Sequence, residues 1–187
     1  MTLVSVIALT FAVAASVAPA NRPANPTYMR PPAGWHSLGP PPPNAPIDYG
    51  WVSPHFGDGT PHAGDTLTVS VWPIPPNSTL ADQVRKLTTQ ETQDGRTVAS
   101  SHSHATCNGT QPGWTIDLRL QLGPTPTMMI SQVYQIAVFK AHVYVINLTH
   151  RADLPIGGVV QASLDSLCPK TRNLTEPARR PKAEKRR

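Results

Sequence analysis

Apolar and polar residues alternate with a period of two over much of the chain, which is the pattern of half-buried β-strands. The segment 114–122 shows it most regularly, because its apolar side chains share one face while Asp117, Arg119 and Gln121 lie on the other. The same pattern predicts further strands at 35–38, 66–72, 98–107, 128–139 and 142–149. We expect the last two to form an antiparallel hairpin that turns at 140–141.

Two segments show the helical period of 3.6 residues instead. The first opens at Ser78 and Thr79, has Asp82 in its first turn, where the helix dipole favours a carboxylate, and ends at 94–95. The second spans 155–167, and we expect Asp153 to cap it. The chain therefore contains two strands, a helix, four strands and a final helix.

This order of elements predicts an α+β fold. We expect an antiparallel β-sheet with the two helices packed on one face, which makes a two-layer sandwich. One face of the segment 98–107 carries small side chains, and another element should pack closely against them. These residues are Ala99, Ser101, Ser103, Ala105 and Cys107.

The chain contains two cysteines, Cys107 and Cys168. Cys168 follows Leu164 on the apolar side of the last predicted helix, so a disulfide would fix that helix to the strand that contains Cys107. The bond would close a loop of 61 residues, for which the chain-entropy model gives about 4 kcal/mol of stabilisation. A redox-active pair normally has a close C-x-x-C spacing, so the sequence favours a structural disulfide.

The first twenty residues carry no charge, and residues 3–17 are almost continuously apolar. Ala18-Pro19-Ala20 fits the small-residue site at which signal peptides are cleaved. The apolar run is shorter than the roughly twenty residues that span a membrane. We therefore expect a signal peptide, a secreted or periplasmic protein, and no transmembrane segment in the mature chain. No Lys or Arg precedes the run, so an uncleaved anchor is the alternative.

The remaining chain divides by composition into three parts. Residues 21–46 form a Pro-rich leader that contains the first strand, and residues 47–169 form the α+β domain. Residues 170–187 form a tail with eight basic and two acidic residues, which we expect to be disordered. The tail could bind an anionic envelope surface or another extracytoplasmic protein. The domain itself is nearly neutral, so we expect no nucleic-acid partner.

The order of elements resembles that of the PsbP-like family of extracytoplasmic α+β domains. The likeness rests on Pro32-Ala33-Gly34-Trp35 before the first strand, on the closing helix, and on the hairpin Gln132-Val-Tyr-Gln-Ile-Ala-Val-Phe…Val143-Tyr-Val-Ile. It covers about residues 31–169. The resemblance implies a non-catalytic accessory or binding subunit, and it assigns no role to a particular residue here.

Two groups of side chains could bind a metal ion. His102 and His104 are two residues apart on a predicted strand, so both imidazoles should project from the face opposite Cys107 and could bind Cu or Zn with further ligands. Solvated surface histidines are the alternative. A second group lies in a loop rich in Gly and Pro: His55, Asp58, His62 and Asp65. Its aspartates are equally explained as turn residues.

The chain contains no G-x-S-x-G, no H-E-x-x-H and no phosphate-binding glycine loop, so we expect no cofactor. The sequence favours an exported, non-enzymatic binding or accessory domain that acts outside the cytoplasm. One alternative is an extracytoplasmic transition-metal-binding protein that uses surface histidines. Another is a hydrolase with a dispersed Ser–His–Asp triad, because the members of such a triad need not be adjacent in sequence.

Overall fold

One antiparallel sheet organises the fold in the computed structural model, which describes residues 26, 28–42, 45–54, 64–122 and 129–169. The elements within these residues are β1 (His36–Ser37), β2 (Tyr49–Val52), β3 (Thr66–Pro73), α1 (Leu80–Gln93), β4 (Thr97–Thr106), β5 (Gln111–Gln121), β6 (Met129–Phe139), β7 (His142–Arg151) and α2 (Gly158–Asp165). The sheet order is β1-β2-β3-β7-β6-β5-β4, and every neighbouring pair is antiparallel. The predicted α+β class is confirmed.

The central strands β6 and β7 are buried on both faces. All residues of 131–137 and of 143–146 are buried. Lys140 and Ala141 join the two strands with φ angles of 44° and 59°, the left-handed conformation of the tight turns that match the twist of a hairpin. The predicted hairpin is therefore confirmed. Burial of consecutive residues requires cover on both sides of the sheet, since successive side chains point to opposite faces.

The two helices provide that cover from opposite sides. Val84 of α1 packs in one core cluster with Val143 and Val145 of β7. Leu164 of α2 packs in a second cluster with the intervening Tyr144 and its neighbours. The prediction that both helices pack on one face of a two-layer sandwich is therefore wrong. We call the two sides of the sheet the α1 face and the α2 face.

The first described residues pack on the α2 face. Tyr28 and Met29 belong to the same core cluster as α2. The amide of Cys168 donates to the carbonyl of Tyr28 at 2.7 Å, and the hydroxyl of Ser163 donates to the carbonyl of Arg30. These hydrogen bonds connect the start of the described chain to α2 and its C-terminal extension.

The local signals at α1 were correct. Thr79 is the N-cap, and its side chain accepts from the amide of Asp82 while the Asp82 carboxylate accepts from the amide of Thr79. These hydrogen bonds from Thr79 hold the pKa of the Asp82 carboxyl below its ordinary value. The helix ends at Gln93, before Gly95 with φ of 87°.

Two other local predictions fail. Asp153 does not cap α2, because it forms an ion pair with Arg151 at 2.6 Å, and the helix begins after Gly157. The sequence pattern also missed β2, which pairs with both β1 and β3 and buries Trp51. A four-residue strand is too short to show a period of two convincingly.

The small side chains of β4 are not covered. Ala99, Ser101, Ser103 and Ala105 are all exposed, so the expectation that another element packs closely against them is wrong. The strand also has a bulge between Val98 and Ser100, which breaks the predicted alternation.

Cys107 and Cys168 form the predicted disulfide, with Cα atoms 4.4 Å apart. Cys107 lies beyond the end of β4, where its φ of 55° turns the chain. The disulfide thus fixes the segment after α2 to the end of β4 from the α2 face, rather than to the small-residue face. Among the described residues, no helix is long and apolar enough to cross a membrane.

Leu164 lies on the side of α2 that packs against the sheet. We therefore expect Leu164→Ala to lower the free energy of unfolding by about 2–4 kcal/mol. Leu164 is 1% exposed, whereas Val159 on the same helix is 48% exposed. Val159→Ala is therefore the matched control and should change stability by less than about 0.5 kcal/mol. Urea unfolding followed by circular dichroism measures both, and equal effects would contradict this packing.

Candidate functional site

The outermost strand β4 is the longest open edge among the described elements. It spans Thr97–Thr106 and its described sheet neighbour is β5. Its sequence Thr-Val-Ala-Ser-Ser-His-Ser-His-Ala-Thr contains no acidic residue, no Lys, no Arg and no Pro. Charged residues, prolines and β-bulges are the usual means by which proteins protect an edge from pairing, and of these β4 has a bulge between Val98 and Ser100. The opposite edge is formed by β1, which has only two residues.

His102 and His104 project from this edge on the α2 face. Sheet register places His104 beside Gly113, Gly113 beside Ala137, and Ala137 beside Tyr144, which packs with α2. The two imidazole rings have centroids 6.2 Å apart. The structure therefore brings the two predicted metal ligands together on one face.

The environment of His104 favours its neutral form. Partial burial lowers the pKa of His104, the neighbouring His102 lowers it further, and Asp165 of α2 opposes both effects. The Nδ1 atom of His104 lies 3.4 Å from the hydroxyl of Thr115. A Cβ atom at Gly113 would lie 3.1 Å from Nε2 of His104, so a glycine there leaves room for the imidazole. The neutral imidazole is the form that binds metal ions.

The described part of the chain contains no group of three His, Cys, Asp or Glu residues that could hold a metal ion. His102 and His104 thus form a pair of ligands without a third ligand from the described residues of the same copy. The other predicted group is not shown by the structure, since His55, Asp58 and His62 lie outside the described residues. Its remaining member, Asp65, is buried at the start of β3.

A row of polar side chains crosses the α2 face near the other end of β6. Register places Arg119 of β5 beside Ser131 of β6, and Ser131 beside His150 of β7. Asp117 accepts a hydrogen bond from the Ser131 hydroxyl and forms an ion pair with Arg119 at 3.0 Å. The sequence pattern assigned Asp117 and Arg119 to a solvent-facing side, but both are partly covered here.

Ser131, His150 and Asp65 are the residue types of a hydrolase triad, but their arrangement is different. Ser131 is 1% exposed, and its hydroxyl donates to Asp117. A nucleophilic serine needs its hydroxyl hydrogen-bonded to the histidine and open to substrate. Ser131 and His150 therefore do not show the geometry of acyl transfer.

Burial lowers the pKa of His150, and the nearby Arg119 adds to this effect, whereas Asp65 and Asp117 oppose it. Sequence reasoning missed His150 as a buried residue. The available signal was its spacing of two and four residues from Leu148 and Ile146, because residues at even spacing share one face of a strand.

A second buried polar network fixes the end of α1 to the sheet on the α1 face. Nε of Arg96 lies 3.0 Å from Oε2 of Glu91, and both side chains are almost fully buried. The Tyr134 hydroxyl donates to Oε1 of Glu91 at 3.1 Å, and Arg96 donates to Gln132. Burial raises the pKa of the Glu91 carboxyl, and the Arg96 guanidinium partly offsets this.

Comparison with known proteins supports the fold. No protein-family model matches the chain, and no curated protein matches it. The solution structure of cyanobacterial PsbP (CyanoP) from Synechocystis matches with a TM-score of 0.52 at 16% identity, over 74% of this chain and 81% of that one. The chain has a PsbP-like fold. The resemblance inferred from the order of elements is therefore confirmed.

The structure of PA94, a protein of unknown function from Pseudomonas aeruginosa, also matches. Its TM-score is 0.41 at 11% identity, over 68% of this chain and 75% of that one. At this score the likeness supports no structural inference.

The buried imidazole of His150 should make stability depend on pH. The unfolded chain binds a proton near the ordinary pKa of 6.5, whereas the folded chain resists it, so stability falls as pH drops below 6.5. We expect His150→Gln to weaken this dependence. Urea unfolding between pH 7.5 and 5 gives the free energy of unfolding at each pH, and the slope of that energy against pH is compared between the two proteins. His36→Gln, at an exposed histidine, is the control. Identical slopes for wild type and His150→Gln would contradict the assignment.

Proposed function

We propose that this protein is an exported, non-enzymatic binding domain that acts outside the cytoplasm. The observation that carries the binding role is the open edge of β4, whose segment 100–106, beyond the bulge, presents its backbone without a protecting charge. An exposed edge of this kind accepts an additional strand from a partner, and the backbone hydrogen bonds supply the affinity.

Three features support export to the periplasm or the exterior. The apolar segment 1–20 has the pattern of a cleavable signal peptide. The pair Cys107–Cys168 is typical of proteins that fold in an oxidising compartment. The PsbP-like fold agrees with an accessory role, since the resembling family consists mostly of extracytoplasmic accessory and binding subunits.

Native mass spectrometry of the protein recovered from its own host tests this proposal. We expect a mass without residues 1–20, two hydrogens fewer than the reduced chain, and a complex with a further polypeptide. Ser103→Lys, in the middle of the open edge, should reduce the fraction in that complex. Thr89→Lys places the same charge on the exposed side of α1 and is the matched control. A bare monomer with free thiols and an intact N-terminus would overturn the proposal.

Metal binding is the second candidate function. It is favoured by the imidazoles of His102 and His104, which share a face at the open edge with ring centroids 6.2 Å apart. A stable site for Zn²⁺ usually needs four ligands, and His102 and His104 supply two.

The basic tail 170–187 is proposed as a contact to anionic envelope surfaces, because its net charge is +6. We expect the mature chain to bind vesicles that contain anionic lipid, with an affinity that decreases steeply as salt increases. Deletion of 170–187 should remove this binding in a co-sedimentation assay, while neutral vesicles serve as the control. Unchanged binding after the deletion would contradict a role for the tail.

A further inference from the structure

The segment 100–106 of β4 is nearly symmetric in sequence about its central residue, Ser103. His102 and His104 flank Ser103, and the next residues outward are Ser101 and Ala105. If two copies paired their β4 strands antiparallel around Ser103, His102 of one copy would lie opposite His104 of the second copy. The β4 strands of two copies would therefore match each other about a two-fold axis. Two-fold symmetry is the commonest symmetry of soluble oligomers.

Nothing along this stretch opposes such pairing. Ser101, Ser103 and Ala105 are exposed and small. The bulky side chain beside them on the α1 face is Trp114 of β5, whose indole donates to the Ser101 hydroxyl at 2.8 Å. No Asp, Glu, Lys or Arg would face the second copy, whereas like charges directly opposite each other destabilise paired strands. The bulge between Val98 and Ser100 limits the flat region to about residues 100–106.

Pairing would also complete the set of metal ligands. One copy presents the imidazoles of His102 and His104 on the α2 face, and the described residues add no third ligand. Side chains directly opposite on antiparallel strands have Cβ atoms about 5 Å apart. The second copy would therefore add two imidazoles beside the first two when the ring of His104 turns from its position over β5 toward the edge. Four imidazoles suit Zn²⁺ or Cu²⁺.

We propose that β4 is the interface of a two-fold dimer, in which two copies pair antiparallel about Ser103 and together form a transition-metal site from His102 and His104 of each copy. This inference rests on the proposed function, that the domain binds through its β4 edge, and it names the partner as a second copy. The negative charge of Asp165 on α2 acts on His104 and would also favour a cation there.

Charge variants at Ser103 test the register. In the proposed dimer this residue faces itself, so Ser103→Lys and Ser103→Glu should each abolish dimers by placing like charges opposite each other. An equal mixture of the two variants should restore dimers, because the opposed charges then attract. Sedimentation velocity of the untagged mature chain measures the species present. Ser103→Thr is the control for the substitution itself, and failure of the mixture to dimerise would overturn the register.

Zn²⁺ as the probe tests the metal site. We expect one Zn²⁺ per two chains, and a decrease of about tenfold or more in the dimer dissociation constant, since the metal binds only where four imidazoles meet. The double variant His102→Gln/His104→Gln should lose this response while its thermal midpoint stays that of the wild type in EDTA. One Zn²⁺ bound per chain by monomeric Ser103→Lys, with unchanged affinity, would overturn the shared site.

The two proposals can fail separately. A wild-type chain that stays monomeric with and without Zn²⁺ overturns the two-fold dimer. The proposed function then still stands if the host-recovered complex contains a different polypeptide that Ser103→Lys releases and Thr89→Lys retains. Circular dichroism spectra and thermal midpoints equal to wild type establish that the Ser103 variants are folded, which is expected because Ser103 is exposed.

Discussion

The pairing of β6 with β7 is the contact on which the other elements depend. It runs from Ile130 beside Arg151 to Phe139 beside His142, and both strands bury consecutive residues. A hairpin with two apolar faces cannot be satisfied by cover on one side, because the other face would remain in water. The helices must therefore lie on opposite faces. Val84 of α1 and Leu164 of α2 each insert into the cluster on their own side.

The buried polar residues make this arrangement specific. Ser131 points to the α2 face and contacts Asp117, whereas Gln132 and Tyr134 point to the α1 face and contact Arg96 and Glu91. A shift in register by one residue would exchange these faces and leave buried charges without partners. Leaving one member of a buried ion pair unpaired costs about 3–5 kcal/mol. The polar networks thus select one register from those that an apolar hairpin alone would permit.

Sequence pattern predicted the elements whose signals are local. The start of α1 at Ser78 and Thr79, the turn at 140–141 and the disulfide follow from residues close in sequence or from the count of cysteines. The pattern did not show on which face of the sheet each helix lies. Helical periodicity identifies the buried side of a helix, but it does not identify the surface against which that side packs. The polar row at His150 was hidden for a related reason, since sheet order rather than sequence brings β5, β6 and β7 together. The exposure of β4 was missed because alternation looks the same in edge and central strands.

The small side chains of the strand β4 have no covering element in the described residues, which makes β4 the surface best suited to association. Its small residues and His102 are exposed to solvent, so an unpaired edge is tolerated without charges. Strand pairing exchanges water for backbone hydrogen bonds that contribute only about 1 kcal/mol each. Association itself costs several kcal/mol, so seven paired residues alone leave the balance close to even. Ligand bonds from His102 and His104 to a metal ion would tip that balance. An edge of this composition therefore favours conditional association over a permanent dimer, and in the proposed dimer the condition is the supply of metal.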